Sequence, residues 1–322
     1  MTDGLDIRRI QQVVEEYFQY VSLSHVWKGK EPSFQDVHRV GSVWLLASPQ
    51  NEKLRKFCEA VAKDGYRWAW CDTCCIDKTI NTVLNQSLKM MYKWYEASAA
   101  TFVHLADVAS PSTLGELTDS LWMTRAWTSQ ELLAPKVIRI YTCNWQPYLG
   151  DTRLNHKESP EIMQELADAI RIARTAIISF NPDDLSNREK LRLASRRNAR
   201  EEDVAYSLIG MFKSDIRPDY GEGYAALGHL LEEIVARSSD VTVLAWTGQS
   251  SPYNSCLPAT LAVYSQPPGT LSAIEDTQMD GRVTVVKGHL RQSSYHSTNG
   301  SYLYLQHASI TADSTSRASY LQ

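Results

Sequence analysis

Apolar residues recur at helical spacing from Asp6 to Phe18, where Ile7, Ile10, Val13, Val14 and Tyr17 mark one face and predict an amphipathic N-terminal helix. The pattern then changes to a short β-prone run, Tyr20 to Ser24, followed by a polar turn from His25 to Pro32 that carries Trp27. Glu52 to Lys63 reads as a helix with Leu54, Phe57, Cys58 and Val61 inward; Gly65 stops it, and Tyr66 to Cys71 reads as a second strand. The loop Asp72 to Lys78 (DTCCIDK) leaves the end of that strand. Leu84, Leu88, Met91 and Tyr95 define the next helix, Thr101 to Leu105 a third strand, and Ser110 to Asp119 a polar loop. Trp122 to Pro135 (WMTRAWTSQELLAP) then predicts one helix, and Val137 to Tyr141 a fourth strand.

Four short strands alternating with helices in roughly 120 residues predict an α/β fold with a doubly wound, mostly parallel sheet. In such a sheet the loops after Ser24, Cys71 and Leu105 open on one edge, where α/β proteins bind ligands, and the helix after the third strand brings Glu131 to that edge. Trp127 and Glu131, four residues apart, share a helix face, with Arg125 just upstream. Taken alone, those fourteen residues read first as an amphipathic helix with a surface glutamate and only second as a site.

From Asp151 the pattern is helical. Ile162, Leu166, Ile170, Ala173 and Ile177 predict one long helix; Leu185 to Arg197 a basic one; Glu201 to Phe212 a third; and Leu227, Leu230, Leu231, Ile234 and Val235 a fourth. Asp219 to Gly223 (DYGEG) is a turn whose spacing fits no phosphate loop. After Asp240 the chain turns β-prone, with strands expected at Val241 to Trp246, Val283 to Val286 and Tyr302 to Leu305. The expected organisation is an N-terminal helix (1–19), a main unit (20–240) with an α/β part (20–145) and a helical part (146–240), and a β-prone C-terminal extension (241–322).

With 322 residues and 43% hydrophobic content the chain can bury a substantial core, while its net charge of −4 provides no basic field. Neither nucleic acid nor an anionic membrane is an expected partner. The N-terminus lacks a continuous apolar stretch and no later run approaches the ~18 apolar residues of a spanning helix, so a cytoplasmic protein is expected. Its six cysteines then read as reduced thiols. Cys71, Cys74 and Cys75 form a C-x-x-C-C cluster, but no second Cys or His pair completes four ligands, and no metal is expected.

Five segments together resemble the fungal heterokaryon incompatibility (HET) domain: YVSLSHVW at 20–27, WAWCDTCCIDK at 68–78, MMYKWYEASAATFVHLADV at 90–108, WMTRAWTSQELLAPKVIRIY at 122–141, and ASRRNAREEDVAYSLIGMF with YGEG at 194–223. HET domains look distantly similar to TIR domains, which implies a flavodoxin-like sheet. The resemblance also implies cleavage of NAD at the nicotinamide–ribose bond, with Glu131 at the position of the functional glutamate. It places Ser24, His25, Trp27, Asp72, Cys75, Asp77, Arg125, Trp127 and Arg200 as candidate nucleotide-binding residues. Trp127 or Trp27 would stack on a ring, Arg125, Arg200 or His25 would meet the pyrophosphate, and Asp72 and Asp77 would bind hydroxyls or order their loop. NAD is then a substrate rather than a tightly bound cofactor. Self-association on activation and a role in nonself recognition and cell death are implied. The alternative is a catalytically silent module that signals by homotypic contacts.

Overall fold

The computed structural model describes residues 7–46, 51–195, 197 and 200–267. In chain order its helices and strands are α1 (Ile7–Tyr17), β1 (Tyr20–His25), α2 (Phe34–Val40), α3 (Glu52–Lys63), β2 (Trp68–Trp70), α4 (Asp72–Cys75), α5 (Asn81–Ala97), β3 (Ala100–His104), α6 (Glu116–Asp119), α7 (Leu121–Thr124), α8 (Thr128–Leu133) and β4 (Ile138–Tyr141). The helical half follows with α9 (Pro160–Ile170), α10 (Arg174–Ile178), α11 (Asn187–Ala194), α12 (Glu201–Tyr206), α13 (Ile209–Phe212) and α14 (Ala225–Ser238).

The four strands pair in the order β2-β1-β3-β4, all parallel, as the alternation of strands and helices predicts. β1 and β3 sit in the middle with nearly every residue buried, the pattern of a parallel sheet covered on both faces. One face carries Val21, Leu23, Ala100 and Phe102, packed with Leu54, Phe57 and Val61 of α3. The opposite face is partly polar: Ser22 and Thr101 pair their hydroxyls at 2.7 Å, so neither is left buried without a partner. Beyond them Val103, Ile138 and Ile140 join the larger core that the helical half completes.

The chain runs outward from β1 to β2, then crosses back to β3. The direction of winding therefore reverses between β1 and β3, and a crevice opens at their carboxyl ends. His25 and His104, the last residues of the two strands, are register partners there.

Several predicted elements differ in the structure for identifiable reasons. Trp122 to Pro135 is two short helices, α7 and α8, with Arg125 extended between them (φ −82°, ψ 138°). Thr128 explains the break: its hydroxyl lies 2.7 Å from the Trp122 carbonyl and 2.8 Å from that of Arg125, taking carbonyls that a continuous helix would use. The long helix predicted through Ile177 stops at Arg171, which is left-handed (φ 56°), and restarts as α10. Ile177 is still fully buried, so the periodicity marked a buried face rather than an unbroken backbone. Glu201 to Phe212 likewise divides into α12 and α13.

Val241 to Leu244 is a 3-10 turn, not the predicted strand. The Asp240 carboxylate accepts from the Thr242 amide at 3.0 Å, and Arg188 takes the carbonyls of Thr242 (3.1 Å) and Ala245 (2.9 Å). The strands expected at Val283 to Val286 and Tyr302 to Leu305 lie outside the described residues.

The two halves meet where α13 crosses α5. Gly210 faces Tyr92 so closely that an added Cβ would stand 2.1 Å from the Tyr92 Cβ, an atom that moves only with its backbone. Helix propensity alone favours Gly210→Ala by roughly 1 kcal/mol; the clash reverses the sign, and Gly210→Ala is expected to destabilise the protein by about 1–3 kcal/mol. A lowered urea midpoint with unchanged slope checks this.

Candidate functional site

A cavity of about 840 Å³ occupies the crevice at the carboxyl ends of β1 and β3. His25, Val26 and Trp27 reach it from the end of β1, and Asp72, Ile76 and Lys78 from the segment after β2. Leu84, Leu88 and Met91 of α5 form an apolar wall, and Arg125, Trp127, Thr128 and Glu131 form the side made by α7 and α8. Arg200, Asp203 and Tyr220 close it from the helical half. Its lining combines an apolar wall with charged side chains, as in a site for a ligand with a charged centre and an aromatic part.

Glu131 is buried at the cavity, with 6% of its surface exposed. The Trp122 indole N–H donates to Ser24 Oγ at 2.7 Å, and Ser24 in turn donates to Glu131 Oε2. An indole N–H can only donate, so Ser24 accepts from it and its own proton points on to the carboxyl group. Burial pushes the Glu131 pKa up to about 8; the Asp72 charge adds to this, while the Ser24 hydrogen bond and the charges of Arg197 and Arg125 oppose it. In the free protein at neutral pH the side chain is therefore mostly a neutral acid.

Both ends of α8 are anchored. At its start the Arg197 guanidinium donates to Thr128 Oγ1 (2.6 Å) and to the Arg125 carbonyl (3.1 Å). Burial lowers the pKa of Arg197 to about 10, with Glu131 opposing the shift, and the group remains a cation at neutral pH. At the other end the buried Lys157 ammonium donates to the carbonyls of Leu133 (3.3 Å) and Pro135 (2.6 Å), taking up acceptors that a helix end leaves open. A helix of one and a half turns is thus held by two buried cations with Glu131 between them.

The opposite rim is an ionic cluster. Trp27, 48% exposed, donates its indole N–H to Asp72 Oδ2 at 3.0 Å. Lys78 lies 3.6 Å from the centre of the Trp27 ring and 3.8 Å from Asp72, so one face of the indole already carries a cation. Burial raises the Asp72 pKa, against the opposing charge of Lys78. His25 is buried, and desolvation together with the charges of Lys53, His104 and Lys78 holds its pKa well below the usual imidazole range.

The structure brings His25, Trp27, Asp72, Arg125, Trp127, Arg200 and Glu131 onto one cavity. Ser24 stands behind Glu131, fully buried, and orients it. Cys75 is exposed at the end of α4, away from the lining. Asp77 also lies off the cavity; it accepts from the Thr79 amide (2.9 Å) and Gln35 Nε2 (2.6 Å) and orders its loop.

Sequence reasoning passed over Lys78, Trp122, Arg197 and Tyr220. Lys78 and Tyr220 were visible in the quoted motifs, but only the fold turns them inward. Tyr220 donates to Asp203 at 2.8 Å, and the buried Tyr206 hydroxyl holds the same turn by donating to the Asp219 carbonyl at 2.9 Å. Arg197 sat in a run that pattern alone assigns to a solvated face.

The raised Glu131 pKa fixes a stability trend. An unfolded glutamate ionises near pH 4.3, whereas the folded one holds its proton to about pH 8, so its contribution is complete below the unfolded pKa and is lost as pH rises through the folded one. Glu131→Gln keeps an acceptor for Ser24 and removes the ionisation. It should match wild type near pH 4 and exceed it by several kcal/mol, up to about 5, at pH 9. Thermal melts of both proteins across that range test the divergence.

The family model described as "Heterokaryon incompatibility protein (HET)" matches residues 20–116, which contain β1 to β3 and the rim at Trp27, Asp72 and Lys78. The vegetative incompatibility protein HET-E-1 of Podospora anserina is 33% identical over 227 residues, covering 67% of this chain but only 16% of its own length. No solved structure matches the chain. Among the described residues no helix is long and apolar enough to cross a membrane. The chain belongs to the heterokaryon incompatibility (HET) family.

Proposed function

We propose that the cavity binds NAD or a related nucleotide, that it cleaves the nicotinamide–ribose bond in a TIR-like manner, and that this activity serves incompatibility and cell death. The observation that carries the reading is a buried carboxyl group, Glu131, facing a cavity at the switch point of a parallel sheet, with Lys78, Arg125 and Arg200 on the same cavity. The relative's name supports the biological setting, although this chain spans a small part of that protein.

The chemistry follows from the charge state. The nicotinamide ring of NAD is a pyridinium cation, and a cation beside Glu131 favours the carboxylate over the acid. Binding of the substrate therefore generates the anion that the reaction uses. As the C1′–N bond breaks, its electron pair leaves with nicotinamide, which departs neutral and needs no proton. The ribosyl cation left behind is stabilised by the carboxylate. A water then adds its oxygen to C1′ and gives a proton to Glu131. Trp127 and the apolar wall of α5 suit the aromatic rings, and the three cations suit the pyrophosphate.

Two measurements test this reading. Purified protein, tethered to promote assembly, is expected to release nicotinamide from NAD, and Glu131→Gln to release it at least about 100-fold more slowly. Equal rates would remove Glu131 from the mechanism; no release from assembled wild type would leave the silent signalling module. Because catalysis needs the carboxylate, kcat/KM should rise with pH and level off above about 8, the value to which burial lifts Glu131 in the free protein. A profile flat from pH 5 to pH 9 would contradict the assignment.

A further inference from the structure

The imidazole of His25 is 2% exposed, and neither ring nitrogen has a hydrogen-bond partner. A buried polar group without a partner costs of order 1–3 kcal/mol, so an orphaned ring beside a cavity asks for a ligand. Two carboxylates face the ring. Glu31 Oε2 and Asp72 Oδ1 both stand 3.5 Å from His25 Nε2, too far for a good hydrogen bond. The remaining oxygens are engaged elsewhere. Glu31 Oε1 accepts from Lys53 and from the Lys28 amide at 2.9 Å, and Asp72 Oδ2 accepts from Trp27 at 3.0 Å. Each carboxylate thus has its other oxygen 3.5 Å from the same nitrogen, and Asp72 Oδ1 also lies 3.9 Å from Cys71 Sγ, which is itself 2.8 Å from the Thr73 hydroxyl.

The third donor is sulfur. Donor atoms of His25, Cys71 and Asp72 all lie within 4.8 Å of one another, and Cys71 is 1% exposed. Around tetrahedral zinc, bonds of ~2.0–2.1 Å to nitrogen and oxygen place neighbouring donors roughly 3.4 Å apart. The 3.5 Å between His25 and Asp72 agrees with such an edge; the sulfur, 3.9 Å from Asp72 Oδ1, would exchange its 2.8 Å contact with the Thr73 hydroxyl for the metal. Trp27 and Lys53 serve as outer partners that fix the carboxylates, as is usual around bound metals.

We propose that His25, Cys71 and Asp72 form a site for a zinc-like divalent cation at the edge of the cavity, with Glu31 beside it. A mixed nitrogen, sulfur and oxygen donor set suits zinc, whereas magnesium and calcium take oxygen alone. Binding replaces the Cys71 S–H bond with a sulfur–metal bond and releases the proton to solvent. Three protein donors leave a fourth position open towards the cavity or to Glu31. The site does not depend on the nucleotide reading, because metal binding is measured without NAD.

The test uses the full chain without a histidine tag. Zinc titrated against a chromophoric chelator is expected to bind at one per chain, and cobalt in its place to show a thiolate-to-metal charge-transfer band. Cys71→Ser should abolish that band, and Cys71→Ser and Asp72→Asn should each weaken zinc by more than about tenfold, since even outer-partner changes cost 10–100-fold. Circular dichroism confirms that the variants fold, and the wild-type cobalt spectrum reads the sulfur ligand without any variant. The double variant Cys74→Ser, Cys75→Ser should bind zinc as wild type does. The proposal is overturned if wild type binds no zinc, if the cobalt spectrum lacks the thiolate band, or if binding is lost with Cys74 and Cys75 instead of Cys71.

Discussion

The relay from Trp122 through Ser24 to Glu131 joins the end of β1, α7 and α8 at one point, and the character of the site depends on it. Its direction is fixed because the indole can only donate, so Ser24 has a single proton to offer and offers it to the carboxyl group. That one bond lowers the pKa of Glu131, and burial overrides it, leaving a group poised near 8. A glutamate on a solvated helix face would ionise near pH 4.3 and respond little to what enters the cavity. Here the charge state depends on whether a cation is present.

The surrounding structure protects this arrangement at some cost in stability. α8 is six residues long and could not hold a fixed geometry by propensity alone. Arg197 and Lys157 fix its two ends, and both are buried cations whose pKa values fall to about 10 and about 8. Burying such groups costs free energy, and holding the helix that carries Glu131 with them fits the general trade between stability and a prepared site. The sheet contributes the crevice, and the helical half contributes Arg200, Asp203 and Tyr220 as the outer wall.

Much of the sheet was legible in the chain because its strands are short apolar runs separated by amphipathic helices. α3 came out with its predicted bounds, and β1, β3 and β4 within one residue. The helical half was less legible. Ile170 and Ile177 lie on one buried face, so their spacing looked continuous, yet Arg171 adopts a left-handed conformation between them that no side chain announces. The same limit applied at Arg125, where Thr128 redirected the backbone through its hydroxyl. The site was legible where motif and strand end coincide, as at His25, Trp27 and Asp72. It was illegible where a residue acts across a long sequence separation: Trp122 reaches Ser24, and Arg197 reaches Thr128, only once both halves have packed.

The most direct test of this account is the ionisation of Glu131 itself. Infrared difference spectra of wild type minus Glu131→Gln isolate its protonated carbonyl band, which can be followed from pH 4 to pH 10. The account predicts that the band persists through neutral pH, disappears with a midpoint near 8, and disappears at lower pH when a pyridinium nucleotide is bound. A band lost near pH 4.5 in the free protein would mean that Glu131 is an ordinary carboxylate and that burial does not hold its proton.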